Sequence, residues 1–511
     1  MKRRDFIKSM AAGSSMVMLG NFGLVQGKTF ERPLFGDAQP GKFENIDHYH
    51  ITHSIRDGIK FDIPKPTINK DVVIVGGGIS GLTAASRLND FDTLVLEKEP
   101  QLGGNSRRRS NKGIAYPLGA VTSQGKEGTF DDFFDELKVP FVRTKTPDLS
   151  LFIGGQLIVD PLGEGLAKLP FSQNVRTQVQ KLVAQLKGFL DPVEGIFFQI
   201  EDNKPHIQKL DDIDLSTYLT GQNFGPQVRK LCDLIISSRL GAGSDKISAW
   251  MGLYILSRFN SPTYTLPGGH GLISELLTAQ IDQQQNTNYL TETTTVKVQN
   301  KDDRVWTTAI DPQGEVFTVE SKTAIMACPK LLSKLLISDL PEQQKQAMSG
   351  YKYSAYLVAQ VALKRPVMNS FEIMTYDMFS RFILATDWID ENKSQDGNSH
   401  LTIYIPYPDV AGRINLYTAK PNDIAQRIFK DLQQIFPGID NDVLGIELYR
   451  WGHPMVMPQP KMRERLEQVK QPHENIYFAH SDNMGISGLY SAVWAGMDAY
   501  TSAWVHLADD M

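Results

Sequence analysis

With 511 residues, 41% of them apolar and 22% charged, the chain is too long for one simple core and too apolar for extended disorder, so two domains are expected. A formal net charge of −5 gives no reason to expect a nucleic-acid partner. Its two cysteines, Cys232 and Cys328, exclude a disulfide scaffold and a zinc cluster.

The N-terminus reads Lys2-Arg3-Arg4-Asp5-Phe6-Ile7-Lys8, followed by a mildly apolar run rich in Gly, Ser, Ala and Met to Val25. It resembles a bacterial twin-arginine export signal over residues 1–27, which implies passage through the twin-arginine export machinery, removal of the signal and a periplasmic location. The run is too short and too rich in glycine and serine for a comfortable membrane span. Residues 28–66 form a proline-bounded arm containing His48, His50 and His53. No cysteine or well-spaced carboxylate completes a metal site beside them, so they read as part of a loop or packed arm.

The stretch from Asp71 to Gly104 organises the rest. Asp71 to Val75 is a short, mostly β-branched run suited to a buried parallel strand. Gly76, Gly78 and Gly81 follow in G-x-G-x-x-G spacing: one for a tight turn, one for backbone contact with a pyrophosphate, one for close helix packing. Ile79 and Ser80 then open a helix through Leu82, Ala85 and Leu88, whose start faces the phosphates with free N–H groups. A second strand, Thr93 to Leu96, ends at Glu97, 21 residues after Gly76, where a carboxylate takes ribose hydroxyls. Gly103 and Gly104 allow a further backbone approach to the same group, which favours FAD over NAD. An export route that carries folded proteins suits a flavin loaded in the cytoplasm.

Downstream, Asn105-Ser106-Arg107-Arg108-Arg109 places Arg107 to neutralise phosphate charge. Leu118-Gly119-Ala120 offers another side-chain-free approach for a flat ring, at Gly119 and Ala120. Residues 121–260 read as largely helical, with stripes at Phe130, Phe133, Phe134 and Leu137, and at Val179, Leu182, Leu186 and Phe189. Pro267 to Gly271 breaks the chain before a helix through Leu272 and Leu276. Strands are expected at Thr294 to Val298 and at Thr323 to Ala327. Cys328 closes the latter run as a small buried hydrophobe. Residues 346–445 alternate strands at Tyr356 to Leu363 and His400 to Ile405 with a helix from Asp423 to Phe436, and Asp390 to Ser399 is a polar loop. The chain closes with a strand at Asn475 to Ala479, a loop holding Asp482, and a helix after Gly488 whose small face is Ala492, Gly496 and Ala499. Its start can favour the negative charge of a reduced flavin.

These pieces resemble the FAD-dependent amine oxidase superfamily, spermidine dehydrogenase-like members in particular. The likeness runs over most of residues 70–510 and is carried by the Gly76–Glu97–Gly104 unit, Leu118-Gly119-Ala120, Pro267-Gly268-Gly269 and the C-terminal FA…D…AVWAG block. It implies an α/β fold: a Rossmann-like FAD/NAD(P)-binding domain (67–120, 261–345 and 446–511) plus an α+β substrate-binding domain (121–260 and 346–445). It also implies that the Val296 backbone meets adenine, that Asp482 lies by the ribityl and phosphate, and that the helix start at Gly488 and Leu489 lies by the pyrimidine ring. Pro329 with Lys334 resembles the family's P-x-x-x-x-K, whose lysine holds a water at flavin N5. Trp451-Gly452-His453-Pro454 resembles the segment that crosses the flavin face. The sequence departs from the family at Asn105, where an arginine is usual, and at Gly488, where monoamine oxidases carry a cage tyrosine. With no cysteine near these segments, non-covalent FAD is implied.

The implied reaction takes hydride from the carbon beside the nitrogen of an amine, polyamines included, to flavin N5, with oxygen or a redox protein as the electron acceptor. Lys334 and His453 are the candidates for proton handling or water positioning, and His270, Trp451 and Tyr490 for the substrate pocket. An FAD-dependent C–C desaturase, like phytoene desaturase or protoporphyrinogen oxidase, is the alternative enzyme. An exported flavin-binding protein without turnover is the alternative of another class. A long, wholly apolar cavity with no acidic or aromatic end would favour the desaturase.

Overall fold

The computed structural model describes residues 43–45, 48–111, 113–123, 130–144, 149–190, 205–259, 263–386 and 397–508. The twin-arginine stretch, most of the arm before His48 and most of the polar loop after Asp390 lie outside these residues.

The apolar run that leads into the Gly76 turn explains the first layer. Val72, Val73 and Ile74 have no exposure at all, because their strand, Ile68–Val75, is covered on both faces. It lies between Thr93–Leu96 and Val316–Met326, all parallel. Thr287–Leu290 extends the sheet on one side, and Ile476–Phe478 pairs in parallel with the end of Val316–Met326 on the other. The first half of Val316–Met326 instead leads into an antiparallel meander with Arg304–Ile310 and Thr294–Lys301. One face is packed by the helices Ile79–Arg87, Gly271–Asp282 and Leu489–Ala508, which share a single apolar cluster with Val72 and Ile74. The opposite face, with Val73 and Val75, takes Lys330–Leu336, Glu342–Ser349 and Met462–Val469.

The second layer is an eight-stranded sheet in the order Phe43–Asn45, Val443–Val456, Tyr353–Leu363, Ser399–Tyr407, Phe382–Ala385, Glu372–Thr375, Leu149–Ile153, Gln156–Val159. Two expectations change here. The strand Val443–Val456 runs straight through the expected boundary at 446, so the chain to Val456 pairs with Tyr353–Leu363 and rejoins the nucleotide sheet only at Ile476. The stretch expected to be largely helical also supplies two strands at the sheet's far edge. Gly154 and Gly155, with φ of +58° and +75°, make the tight turn between them. The remainder of that stretch is helical, with Gln173–Gly188, Leu215–Gly221, Pro226–Leu240 and Ala249–Ser257 packed around the fully buried Trp250.

Candidate active site

A cavity of about 440 Å³ runs between the two layers. At its nucleotide end the chain has removed side chains where backbone must approach. A Cβ on Gly104 would lie 3.1 Å from the Gly78 Cα, and one on Gly76, whose φ is +110°, would lie 2.8 Å from the Ala327 carbonyl oxygen. Gly81 does not line the cavity; its Cβ would stand 2.0 Å from the Gly76 oxygen, so it serves helix–strand contact. Gly78, Ile79 and Ser80 at one helix start, and Gly488 and Leu489 at another, line the same space.

Glu97 ends its strand with 6% exposure. Its Oε2 accepts the Gly77 N–H at 2.7 Å and its Oε1 the Glu99 N–H at 2.8 Å. Burial raises its pKa in spite of Lys98 and these two donors. A carboxylate has about four acceptor positions, so it retains capacity for two hydroxyls. Glu99, buried beside it, is met by Lys98, by the His48 ring at 2.8 Å and by Arg107 at 3.6 Å. Arg107 is 5% exposed; its Nε donates to the Gly104 oxygen at 2.9 Å and its guanidinium lies over the Trp451 ring.

Asp482 is wholly buried at the cavity wall. Its Oδ2 accepts from the Lys330 backbone N–H at 2.9 Å and from the Tyr353 hydroxyl at 2.5 Å. Burial pushes this carboxyl up, but nearby His480 and those donors outweigh it and hold the pKa low. Together the glycine slot, the two helix starts and Glu97 fit a dinucleotide such as FAD.

The far end is a chamber of aromatic and polar groups. Gly119 and Ala120 line it; a Cβ on Gly119 would lie 2.2 Å from the Asn105 oxygen. Tyr404 donates its hydroxyl to the Gly119 oxygen at 2.6 Å, Tyr356 to Ser237 at 2.6 Å, and Trp451 its Nε1–H to Leu118 at 2.7 Å. Burial pushes both tyrosine hydroxyls well above their ordinary pKa, so they stay protonated. His270 lines the chamber at 3% exposure, and burial lowers its pKa to about 4. His453 lines it too, its ring 6.2 Å from that of Tyr353.

Three expected site residues are placed elsewhere. Lys334 does not line the cavity; on the last turn of Lys330–Leu336 it hydrogen-bonds Ser349 at 3.2 Å. The lysine one turn earlier, Lys330, is the buried one, with its Nζ over the Phe478 ring and no hydrogen-bond partner. Val296 is buried where the register with Arg304–Ile310 slips between Thr295 and Lys297, and the wall at that point is Thr293, Thr294 and Thr295. Tyr490 packs edge-on against Phe134 at 5.8 Å rather than lining the chamber. Cys328 is buried in the core as expected, and also touches the cavity; burial raises its thiol pKa to about 11.

Sequence reading missed Arg239 and Glu372, which pair at 3.1 Å across the chamber wall, and Tyr49 and Thr52, which carry the arm onto the cavity. The arm's histidines part ways: His48 meets Glu99, while His50 and His53 lie against the Tyr49 ring. Among the described residues no group of three or more His, Cys, Asp or Glu is arranged to hold a metal ion.

The family model described as flavin containing amine oxidoreductase matches residues 79–499. The chain is 27% identical, over 523 aligned positions covering 86% of it and 76% of the relative, to the oxidoreductase PigB of a Serratia species. Among solved structures, putrescine oxidase bound to putrescine superposes with a TM-score of 0.69 at 15% identity, covering 86% of this chain and all of that one. Cyclohexylamine oxidase from Brevibacterium oxydans gives 0.68 at 17%, covering 86% and 99%.

Proposed function

The chain belongs to the flavin containing amine oxidoreductase family and is an FAD-dependent oxidoreductase; from that premise we propose that it oxidises a small amine at the carbon next to nitrogen. The observation that carries this reading is the continuity of one cavity from the Glu97 and Gly76 cradle to a chamber walled by Trp451, Tyr404, Tyr356 and His270. FAD bound there supplies the hydride acceptor.

The protein's own part is binding, orientation and exclusion of water. Gly76, Gly78, Ile79, Ser80, Gly103, Gly104 and Arg107 receive the pyrophosphate, Glu97 the ribose, and Asp482, Gly488 and Leu489 the flavin half. Trp451 and Tyr404 are each pinned by a hydrogen bond to the Leu118–Gly119 backbone, so their rings form fixed walls. A low-dielectric chamber favours the neutral amine that hydride loss requires. His453 is the group at hand to take or orient a proton. The aromatic and polar walls of the chamber, in place of a wholly apolar tunnel, favour an amine over the polyene of the desaturase reading.

FAD is held without a covalent bond in this proposal. Cys328, the cavity's cysteine, sits beside the Gly76 turn at the phosphate end, and denaturation with acid should release all the flavin. Arg3 and Arg4 carry the proposal of twin-arginine export to the periplasm; changing both to lysine should trap the protein in the cytoplasm.

The deciding experiment is an anaerobic bleaching screen of the holoenzyme with monoamines, diamines and amino acids, followed by stopped-flow reoxidation to separate oxygen from a redox-protein acceptor. Bleaching by at least one amine supports the reading. Bleaching by polyenes alone would replace it with the desaturase.

A further inference from the structure

The amine reading leaves open what else the substrate carries, and the chamber wall bears on that. Arg239, from the helix Pro226–Leu240, and Glu372, from the strand Glu372–Thr375, are 133 residues apart in sequence and meet at 3.1 Å. Their burial is unequal. The Glu372 side chain is 5% exposed and that of Arg239 is 29% exposed, and both line the chamber. The acid therefore sits behind and the guanidinium in front. The other edge of the fork, Nη1, has only a long contact to the Thr122 Oγ1 at 3.5 Å. Neighbouring Tyr356 and Tyr404 already donate their hydroxyl hydrogen bonds to backbone carbonyls, so neither O–H is left to give to the substrate.

Two consequences follow from charge. Glu372 is neutralised by its partner, so it is a poor seat for a second ammonium group, which would have to displace a guanidinium already in place. Arg239 has five N–H donors and spends few of them on Glu372 and Thr122, so it can offer a planar pair to an incoming oxygen.

We propose that Arg239, held in place by Glu372, is the specificity-determining residue of the chamber, and that it binds a carboxylate or carbonyl oxygen of the substrate. The substrate is then an amine bearing such a group, not a diamine. This rests on the amine reading above for the reaction, but not for the binding site itself.

The test has two arms. In the first, the holoenzyme is titrated with plain carboxylates, acetate through octanoate, and binding is followed by calorimetry and by perturbation of the flavin spectrum. Saturable binding that weakens at least tenfold in Arg239→Gln, and is partly restored in Arg239→Lys, supports the proposal. No binding, or equal binding in wild type and Arg239→Gln, overturns it. In the second, anaerobic flavin reduction is compared for alkylamines, ω-amino acids, α-amino acids and diamines matched in chain length. An advantage of tenfold or more for an amino acid over its matched alkylamine, lost in Arg239→Gln and reduced in Glu372→Gln, is the expected result. Preference for diamines overturns the proposal while leaving amine oxidation intact. Absence of bleaching by every amine would sink the amine reading, and the carboxylate titration would still decide the binding site. Flavin content and melting temperature of each variant separate these outcomes from misfolding.

Discussion

The Glu97 carboxylate holds the Gly77 N–H at 2.7 Å, tying the end of the second strand of the nucleotide fold to the turn that follows the first. The same side chain is thus both a brace of the glycine turn and the expected grip on ribose. Removing a charged acceptor from a buried donor costs about 1.5–3 kcal/mol. Glu97→Ala should therefore weaken FAD binding by roughly ten- to a hundredfold. Titration of flavin into deflavinated protein measures this directly, and an unchanged affinity would remove Glu97 from the site.

The contact between the glycine-motif helix and the C-terminal helix is made through missing side chains. A Cβ on Gly496 would lie 2.5 Å from the Ser80 oxygen and 2.8 Å from the Thr83 Cβ. Neither helix can yield without moving a wall of the cavity. Gly496→Ala should cost about 1–3 kcal/mol and lower flavin occupancy along with the melting temperature. Gly188, on the last turn of its helix with nothing within 4 Å, is the control. There alanine should be neutral or stabilise by up to about 1 kcal/mol. Equal melting shifts in the two variants would contradict the close-packing account.

What could be read from sequence was what is local. Gly76 to Glu97 is one strand, one turn, one helix and one strand, and each step follows from residue type within a few positions. The lysine failed because a P-x-x-x-x-K spacing does not say which face of a short helix looks inward. Helical phase from Pro329 turns Lys330 into the core and Lys334 toward Ser349. The cavity wall beside Val296 is made by Thr293 to Thr295, which one strand read alone does not show, because the register shifts between Thr295 and Lys297. Arg239–Glu372 was beyond reach for a different reason. An ion pair between a helix and a strand 133 residues later exists only once the sheet order is known. The boundary at 446 failed similarly, since the strand Val443–Val456 looks the same in either sheet until its partner is seen.

Lys330 and Lys334 should now behave oppositely. Lys334→Ala should change flavin reduction by less than about threefold, as expected for a half-exposed surface lysine. Lys330 is fully buried, and burial lowers its pKa to about 7 against the attraction of Asp482. This is a base whose folded pKa lies below its unfolded one, so the unfolded chain holds the proton more tightly between those two values. Stability then rises as pH goes from about 7 toward 10, and below pH 7 the full cost of burying the ammonium is present. Lys330→Met should be more stable than wild type below pH 7, on the order of 4 kcal/mol, and lose that advantage by pH 10. Melting curves across that range test it; a pH-independent difference would mean the lysine does not titrate there.

His270 and His400 predict the acid limit of the fold. His270 lines the chamber, and His400 is 2% exposed and stacks on Tyr116 at 5.0 Å. Burial lowers both to a pKa of about 4, from an ordinary value of 6.5. Both are therefore neutral in the folded protein through the physiological range. The sign is again that of a depressed base: stability is complete above pH 6.5 and is lost as pH falls toward 4, because the unfolded chain takes up the protons first. Each group contributes on the order of 3 kcal/mol of acid lability. His400→Gln, at a residue that does not line the cavity, should flatten the fall in melting temperature between pH 6.5 and 4 while lowering stability at neutral pH through lost stacking. The neutral state of His270 carries a further consequence for catalysis. The pH dependence of flavin reduction between pH 5 and 9 should follow the substrate amine's own ionisation and survive His270→Asn with its inflection unmoved, whereas a shifted inflection would show His270 exchanging a proton during turnover.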